Sequence, residues 1–244
     1  MPRFEVEGVS VRFGGNMALS EVSLGAEAGQ VVGLIGPNGA GKTTLFNVIT
    51  GLQASTEGRV RLDGTDLTKL NPTKRARLGL ARTFQRLELF TMLTVRDNVA
   101  VAADIHRRWS RAKIDVDEQV AQILDRIGLT EVADLRVTAL PTGQGRLVEM
   151  GRALACDPKV LLLDEPASGQ DDTETERFSG LLRQLADEGV AVILVEHDMK
   201  LVMDVCDVIH VLNYGRMLAV GTPEEIRNHD AVREAYLGQP AATP

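Results

Sequence analysis

Nine residues, Gly36-Pro37-Asn38-Gly39-Ala40-Gly41-Lys42-Thr43-Thr44, decide the fold of this chain. They fit the spacing G-x-x-x-x-G-K-[ST], in which glycines let successive backbone N–H groups turn toward one anion. Lys42 is placed to reach the outer phosphates of a nucleotide, and the Thr43 hydroxyl is placed to ligate Mg²⁺. The stretch therefore predicts a phosphate-binding loop with a magnesium site beside it.

The residues on either side of this stretch support the prediction. Residues 31–35 are all apolar or glycine, which is typical of a buried strand, and the apolar residues after Lys42 recur at helical spacing. A helix that begins there directs its unsatisfied N–H donors at an anion. The alternative is a glycine-rich turn without a ligand, which the four fixed positions and both flanks disfavour.

Length and composition limit the classes of protein. The chain has 244 residues, enough for one large domain or two small ones, and 44% of them are hydrophobic. Its net charge of −7 argues against a protein that binds nucleic acid through bulk positive charge. Its longest apolar runs have the length of a strand, far below the roughly 20 residues that cross a bilayer. If the protein serves a membrane process, we expect another chain to form the pathway.

Hydrophobic periodicity predicts an α/β fold. Alternation predicts antiparallel strands before the loop, and a mainly helical region follows from about 94 to 156. Strands and helices alternate again after it. The predicted strands are 4–13, 22–25, 31–35, 59–62, 80–84, 160–163, 190–195 and 208–212, and shorter helices are predicted at 73–78 and 173–187. No internal repeat and no long linker divides the chain.

Three of these strands, 31–35, 160–163 and 190–195, are apolar on both faces, as expected in a covered parallel sheet. Each is followed by polar residues: the phosphate loop, Asp164-Glu165 and Glu196-His197. Open α/β sheets bind ligands at the carboxyl ends of their strands. We therefore expect these clusters to converge on one edge.

The acidic pair Asp164-Glu165 has a chemical interpretation. Two carboxylates at a buried strand end are costly unless their charge is compensated, and beside a phosphate loop Mg²⁺ can compensate it through Asp164. Glu165 is expected on the other face of the strand, where it could accept a proton from attacking water. The alternative is an acidic turn that only ends the strand.

Gln85, His197 and Phe13 are weak signals when each is taken alone. A histidine after a strand is more often structural than catalytic, and Gln85 could be an ordinary strand-end amide. Phe13 could belong to the core, although an adenine site needs a flat apolar face. They become informative about function only when they are taken together, in their order along the chain.

Across its whole length the sequence resembles the ATP-binding subunits of ABC transporters. Seven ordered motifs of that family have counterparts here. They are Phe13 at the adenine-stacking position, Gly36 to Thr44 as the phosphate loop, Gln85 as the Q-loop glutamine, Leu140 to Gln144 as the signature stretch, Asp164-Glu165 at the end of the Mg²⁺ strand, Ser168-Gly169-Gln170-Asp171 as the D-loop and His197 as the switch histidine. The resemblance implies a phosphate-loop NTPase core with a mostly parallel sheet, an N-terminal antiparallel β-subdomain and an inserted α-helical subdomain.

The resemblance also implies roles for individual residues, with ATP and Mg²⁺ as cofactors. The catalytic residues would be Lys42, Gln85, Glu165 and His197. The metal site would use Thr43, Gln85 and Asp164. The nucleotide would be bound by Phe13, Gly36, Pro37, Asn38, Gly39, Ala40, Gly41, Lys42, Thr43 and Thr44, and by Gly143, Gln144 and Asp171. We expect one domain over 1–244, with the helical subdomain at about 86–155 and a C-terminal extension at 215–244.

Within the family, the chain looks most like subunits of branched-chain amino acid importers. The stretches that carry this are Leu80-Ala81-Arg82-Thr83-Phe84-Gln85, residues 89–98, residues 221–228 and Ala235-Tyr236-Leu237-Gly238. Motors for urea or amide import and for lipid or lipopolysaccharide export share parts of this pattern. The stretch between Asn98 and Asp134 looks shorter than in the importer subunits, and Gln170 replaces an apolar residue of the D-loop.

The resemblance implies partners and a location. They are integral membrane permease subunits, a second ATP-binding subunit that is a copy or a sister chain, and indirectly a solute-binding protein. The expected location is the cytoplasmic face of the inner membrane, and no nucleic acid is expected. A soluble ABC ATPase acting on ribosomes or DNA is the alternative class. One phosphate loop and the absence of a heptad run disfavour it, and a non-hydrolysing regulatory subunit should lack Glu165 or His197.

One departure from the family pattern changes the expected chemistry of the signature. Pro141 stands where a serine hydroxyl would contact the γ-phosphate held by the opposite subunit, and Pro141 cannot donate a hydrogen bond. Thr142 could supply a displaced hydroxyl. We expect backbone N–H groups of Gly143, Gln144 and Gly145 to bind the phosphate instead, because a helix begins there.

Overall fold

The computed structural model describes residues 2–110, 113 and 115–237. The strands are β1 (Phe4–Phe13), β2 (Asn16–Ala26), β3 (Val31–Ile35), β4 (Glu57–Leu62), β5 (Thr65–Asp66), β6 (Leu80–Arg82), β7 (Val160–Asp164), β8 (Ala191–Val195), β9 (Val208–Asn213) and β10 (Arg216–Gly221). The helices are α1 (Lys42–Thr50), α2 (Pro72–Arg77), α3 (Val95–Ser110), α4 (Val116–Arg126), α5 (Thr142–Leu154), α6 (Asp172–Asp187), α7 (Met199–Val205), α8 (Pro223–Arg227) and α9 (Asp230–Leu237). Short 3-10 helices lie at Thr130–Val132 and Val137–Ala139.

The strands form two sheets. The larger has the order β10-β9-β3-β8-β7-β6, in which only the β9–β10 pair is antiparallel. The smaller, with the order β2-β1-β4-β5, is antiparallel throughout. Helices α3 to α5 are inserted between β6 and β7. The predicted fold class, an α/β phosphate-loop core with an antiparallel part and a helical insertion, is confirmed.

The central strands are buried on both faces because each face supports its own hydrophobic core. All five residues of β3, of β7 and of β8 are buried. Since successive side chains of a strand point to opposite faces, Ile35 and Leu161 belong to the core that contains α6, α7 and the inserted helices. Leu34 and Leu162 pack instead with α1 and the antiparallel sheet. This double coverage leaves the strand ends as the place for polar groups.

The inserted helices pack closely on one another and on the core. Val99 of α3, Ile123 of α4 and Val148 of α5 are buried in the same cluster. Gly151 allows this approach, because a Cβ there would lie 2.9 Å from Ile127 Cδ1. The three helices fall within residues 86–155. That these residues form a separate subdomain stays a prediction.

Several boundaries differ from the predicted ones. Strand β6 ends at Arg82, although the N–H of Thr83 still donates to the Leu162 carbonyl, because the chain then leaves the sheet toward Gln85. Strand β10 and helices α7, α8 and α9 were not predicted; each is short, and periodicity is weak over so few residues. Of the predicted extension 215–244, residues 238–244, including Gly238, lie outside the described residues.

Candidate active site

The phosphate loop joins β3 to α1, and two of its glycines pack tightly against neighbouring strands. A Cβ at Gly36 would lie 2.1 Å from the Leu212 carbonyl oxygen, so no larger residue fits. Gly41 precedes α1 with φ 110°, a backbone conformation that side chains rarely adopt. A Cβ at Gly41 would lie 2.7 Å from Leu19. Two glycines of the predicted loop are thus required by backbone geometry and close approach.

The rest of the predicted loop surrounds an open end. Ala40 is buried and its N–H donates to the Pro37 carbonyl, which closes the turn. Asn38, Gly39 and Thr43 are exposed, and Thr44 is half-buried at the start of α1. The open side of the loop therefore faces the place where a phosphate would meet the first turn of the helix.

Lys42 folds back over this loop. Its Nζ donates to the carbonyls of Gly36 and of Pro37. Burial lowers the pKa of the ammonium, while the negative charges of Glu165 and Asp164 raise it. Two carbonyls and two nearby carboxylates therefore hold the positive charge of Lys42 at the mouth of the loop.

Asp164 and Glu165 have separate sets of partners. The Asp164 carboxylate is buried and its Oδ2 accepts a hydrogen bond of 2.9 Å from Arg82. Glu165 Oε1 instead lies 3.2 Å from Gln85 Nε2 and 2.9 Å from His197 Nε2. Gln85, Glu165 and His197 follow the ends of β6, β7 and β8 and meet at the Glu165 carboxylate. The sequence predicted that Glu165 and His197 would converge, and the structure adds Gln85 to them.

The sequence analysis explained the different positions of Asp164 and Glu165 by their pointing to opposite faces of one strand, and this explanation was wrong. Strand β7 ends at Asp164, so alternation along a strand does not orient Glu165. Glu165 has φ 51°, in the left-handed region that a non-glycine residue seldom occupies. Its N–H donates to the Val195 carbonyl at 2.8 Å, which holds the strained backbone in place. Such strain is concentrated at functional sites.

Two of the three residues predicted to hold Mg²⁺, Thr43 and Asp164, fit a site that is completed by phosphates and water, and a role of Gln85 toward the metal stays a prediction. Among the described residues, no three His, Cys, Asp or Glu side chains form a cluster that could hold a metal. Mg²⁺ beside phosphates takes few protein ligands, such as one hydroxyl and one carboxylate. Thr43 is exposed in the first turn of α1, and the described residues place no donor on Asp164 Oδ1. Both groups are therefore available.

Phe13 lies at the tip of the β1–β2 hairpin and is 51% exposed, which excludes the alternative of a core residue. The same hairpin contacts the phosphate loop, since Ala18 and Leu19 pack against Gly41. The ring is therefore free to meet a flat ligand, on a hairpin that touches the loop.

The signature stretch begins helix α5 as predicted, with Pro141 as the residue before its first turn. The prediction for Gly145 was wrong, because its N–H donates to the Pro141 carbonyl at 3.0 Å as the first bond of the helix. The N–H groups of Thr142, Gly143 and Gln144 have no acceptor among the described residues. The N–H groups left without an acceptor at the start of α5 are therefore those of residues 142–144, instead of the predicted residues 143–145.

Gly143 is buried against its own chain rather than facing outward. A Cβ there would lie 3.1 Å from Glu174 Oε2 and 3.2 Å from Gln170 Cγ. A larger residue at Gly143 would therefore disturb the D-loop of the same subunit. Thr142 is exposed, and its side chain lies near Gly169 of the D-loop.

Asp171 and Gln144 have local partners around α6. The Asp171 carboxylate accepts the N–H of Glu174, and the Glu174 carboxylate accepts the N–H of Asp171, which together cap the helix. Gln144 lines a cavity of about 260 Å³ together with Glu174 and Arg177. Contact of either residue with nucleotide stays a prediction.

Sequence reasoning missed two buried arginines. Arg82 pairs with Asp164; a charged residue in an otherwise apolar strand was the available signal. Arg146 of α5 donates to the carbonyls of Phe84 and Gln85 and pairs with Glu149. Glu149 accepts the N–H of Glu88, and burial raises the pKa of its carboxyl. The i,i+3 spacing of Arg146 and Glu149 was the only sequence trace of this link between the signature helix and the Q-loop.

The fold and this arrangement define an ATP-hydrolysing cassette of the phosphate-loop class. The pattern of the ABC transporter family matches residues 19–168, and the chain belongs to this family. It is an ATP-binding subunit, with the ATPase activity of such subunits. A second pattern, described as branched-chain amino acid ATP-binding cassette transporter, matches residues 216–242.

Curated relatives extend over nearly the whole chain. The high-affinity branched-chain amino acid transport ATP-binding protein BraF of Pseudomonas aeruginosa is 43% identical over 251 residues, covering 98% of each chain. Its Escherichia coli counterpart LivG is 40% identical with the same coverage. The lipopolysaccharide export system ATP-binding protein LptB of Haemophilus influenzae is 32% identical over 96% of each chain.

Solved structures agree with the fold. A nucleotide-free ATP-binding cassette from an ABC transporter superposes with a TM-score of 0.87 at 31% identity, covering 98% of this chain and 100% of that one. A dimeric post-hydrolysis state of the cassette MJ0796, bound to ADP and Pi, has a TM-score of 0.81 at 26% identity, covering 90% and 98%. Among the described residues of the present chain, no helix has both the length and the hydropathy to cross a membrane.

Proposed function

We propose that this chain drives the import of branched-chain amino acids, or of similar small polar solutes, by hydrolysing Mg²⁺-bound ATP for a separate membrane permease. The hydrolysis step rests on one observation: the Gln85 and His197 side chains both contact the same carboxylate oxygen of Glu165. The choice of solute rests on the similarity to BraF and LivG and on the pattern matched at 216–242.

Nucleotide binding in this proposal begins with the adenine ring on Phe13 and the phosphates in the loop 36–44. Lys42 exchanges its two carbonyl partners for phosphate oxygens, which are better acceptors for an ammonium because they are charged. Thr43, Asp164 and Gln85 would hold Mg²⁺, which would supply positive charge against the phosphates.

In the hydrolysis step, Glu165 is the general base that takes a proton from the attacking water. His197 and Gln85 fix the orientation of its carboxylate through Oε1. Oε2 has no hydrogen-bond partner among the described residues, and it is the oxygen left to accept the proton.

A second ATP-binding subunit completes the site. The start of α5, where three N–H groups lack acceptors, binds the γ-phosphate held by the opposite subunit. Asp171, at the start of α6, lies in the same interface. The dimeric structure of MJ0796 bound to ADP and Pi supports the pairing of two such subunits.

The permease docks in a groove of about 380 Å³ between the core and the inserted helices. The exposed apolar residues Leu52, Phe84, Phe90 and Ile105 line it. Such a grouping of exposed apolar side chains marks an interaction surface. Phe84 immediately precedes Gln85, so the occupant of the groove lies next to the catalytic group.

With a permease as partner, the working location is the cytoplasmic face of the inner membrane. A solute-binding protein acts on the permease from the other side.

The proposal is tested by purifying the chain with its membrane partner and assaying ATPase stimulation in proteoliposomes. Leucine, isoleucine or valine, presented with the solute-binding protein, should stimulate hydrolysis, and urea or lipopolysaccharide should not. Stimulation by urea or lipopolysaccharide alone would assign the chain to one of the alternative systems.

The docking surface has its own test. Ile105→Glu should abolish co-purification with membranes, because it places a charge in the apolar groove, and should leave ATP binding by the isolated chain intact. Val220→Glu is the matched control, since Val220 is equally exposed on β10 outside the groove. Equal membrane association of the two variants would contradict the groove as docking site.

A further inference from the structure

Arg82 is a buried cation at the base of the active site. Its side chain is 6% exposed and that of Asp164 is 4% exposed. One guanidinium nitrogen donates to Asp164 Oδ2 at 2.9 Å, and another donates to Asn47 Oδ1 of α1 at 2.8 Å. Arg82 thus joins the strand before the Q-loop, the metal strand and the helix that follows the phosphate loop.

The guanidinium lies over two aromatic rings. Its central carbon lies 5.3 Å from the centroid of the Phe46 ring and 4.9 Å from that of Phe84. Cations over aromatic faces are attracted by the ring electrons, and arginine also stacks on them. Two rings and two hydrogen-bond acceptors thus hold the end of the Arg82 side chain, and its buried Nε has no hydrogen-bond partner among the described residues.

Stability alone does not account for such a pair. Burying two charges is expensive, and apolar residues of similar volume often serve a core equally well. The partner of Arg82 is the carboxylate assigned to Mg²⁺, and only one of its oxygens is engaged. Arg82 thereby fixes the rotation of the carboxylate, while Oδ1 is left without a donor among the described residues.

We propose that Arg82 is a positioning residue for Mg²⁺-dependent nucleotide binding, acting through Asp164. This inference rests on the proposed role of Asp164 toward the metal. Groups that orient a metal ligand commonly change metal affinity by about 10–100-fold when removed. Lysine would keep the positive charge but could not make both hydrogen bonds and stack between the rings.

The experiment measures binding of a fluorescent ATP analogue in EDTA and then along a Mg²⁺ titration. Wild type, Arg82→Met and Arg82→Lys are compared. We expect Arg82→Met to keep its EDTA affinity within about threefold and to need about 10-fold or more Mg²⁺ for half-maximal tight binding. Arg82→Lys should fall between the two. No hydrolysis is needed for this measurement.

Arg75→Met is the matched control. Arg75 is also a buried arginine packed against α1, but it donates to backbone carbonyls, including those of Val48 and Ile49. Its replacement should cost stability without shifting the Mg²⁺ midpoint. If Arg82→Met does not fold, Asn47→Ala and Arg82→Lys take its place. Asn47→Ala removes one acceptor of the guanidinium, Arg82→Lys replaces the guanidinium by an ammonium, and both keep a positive charge at this position.

Two results would overturn the inference. An Arg82 variant that is folded and has the wild-type Mg²⁺ midpoint would contradict positioning. So would an equal loss of affinity in EDTA and in Mg²⁺, which indicates a purely structural role. A wild-type protein whose ATP binding ignores Mg²⁺ would contradict the proposed metal use itself, and would thereby be distinguished from these two results.

Discussion

His197 Nε2 lies 2.9 Å from Glu165 Oε1, and the two residues are 32 positions apart in the chain. They come together because β7 and β8 are adjacent parallel strands whose carboxyl ends lie at the same edge. The N–H of His197 also donates to the Glu196 carboxylate at 2.9 Å, which holds its backbone. Glu165 is thus oriented before any nucleotide arrives.

Glu165→Gln should lower ATP turnover by about 10²–10⁴-fold, the usual contribution of a general base. ATP binding should persist, because the amide has the same size and its oxygen can still accept from Gln85. Steady-state hydrolysis and equilibrium ATP binding are the two measurements. Turnover within about threefold of wild type would remove Glu165 from the catalytic role.

Phe13→Ala should raise the Kd for ATP by a few fold up to about 100-fold, taking aromatic–base stacking at about 1–3 kcal/mol. The free energy of unfolding should change little, because the ring is half exposed at the hairpin tip. Met17→Ala is a suitable control, since Met17 is a similarly exposed apolar residue on β2 of the same hairpin. A normal ATP affinity of Phe13→Ala would remove the ring from the nucleotide site.

Thr142→Pro should weaken ATP-dependent dimerisation in a Glu165→Gln background. Proline removes one N–H donor but is tolerated at the first position of a helix. Pro141 already has ψ 156°, an extended conformation that the residue before a proline favours. With a hydrogen bond to a charged group at about 1.5–3 kcal/mol, each of the two composite sites should weaken the dimer roughly 10–100-fold.

Thr142→Ala is the control for this prediction, because it removes the hydroxyl and keeps the N–H. Size-exclusion chromatography with ATP should show a dimer for Thr142→Ala and a monomer for Thr142→Pro. Loss of the dimer in Thr142→Ala would instead assign phosphate binding to the hydroxyl. Gly143→Asp is a poor probe, since its side chain would meet Gln170 and Glu174 of its own subunit.

His210 should make stability fall with acidification. Burial lowers the pKa of this imidazole from 6.5 to about 4, so the folded state favours the neutral ring. Above pH 6.5 both states are neutral and the stability is fully present. Between pH 6.5 and 4 the unfolded chain binds a proton that the folded chain does not, which costs about 1.4 kcal/mol per pH unit.

Urea unfolding at pH 7.5 and pH 5 tests this dependence. His210→Gln should lose about 1–2 kcal/mol less than wild type between these pH values. His229→Gln is the control, because His229 is exposed and its replacement should keep the wild-type slope. Equal slopes for His210→Gln and wild type would show that the buried imidazole does not control the acid sensitivity.

The sequence by itself determined the features that depend on local spacing. The phosphate loop follows from glycines and a lysine within nine residues, and the three apolar runs identify the central strands because both of their faces are covered. The inward face of α6, with Phe178, Leu181, Leu182 and Leu185, was predicted from helical spacing and all four residues are buried. Such patterns are visible without contacts, because backbone geometry repeats over a few residues.

Only the tertiary structure decided which residues far apart in the chain form ion pairs, form hydrogen bonds or lie in contact. Arg82 neutralises Asp164 across 82 positions, and Arg146 holds the Gln85 carbonyl across 61. Gly145 was predicted as a free donor, yet the first turn of α5 uses its N–H, and the left-handed backbone of Glu165 has no signal in residue spacing. These relationships arise where strands and helices pack, because long-range electrostatics and close approach depend on positions that chain order does not encode.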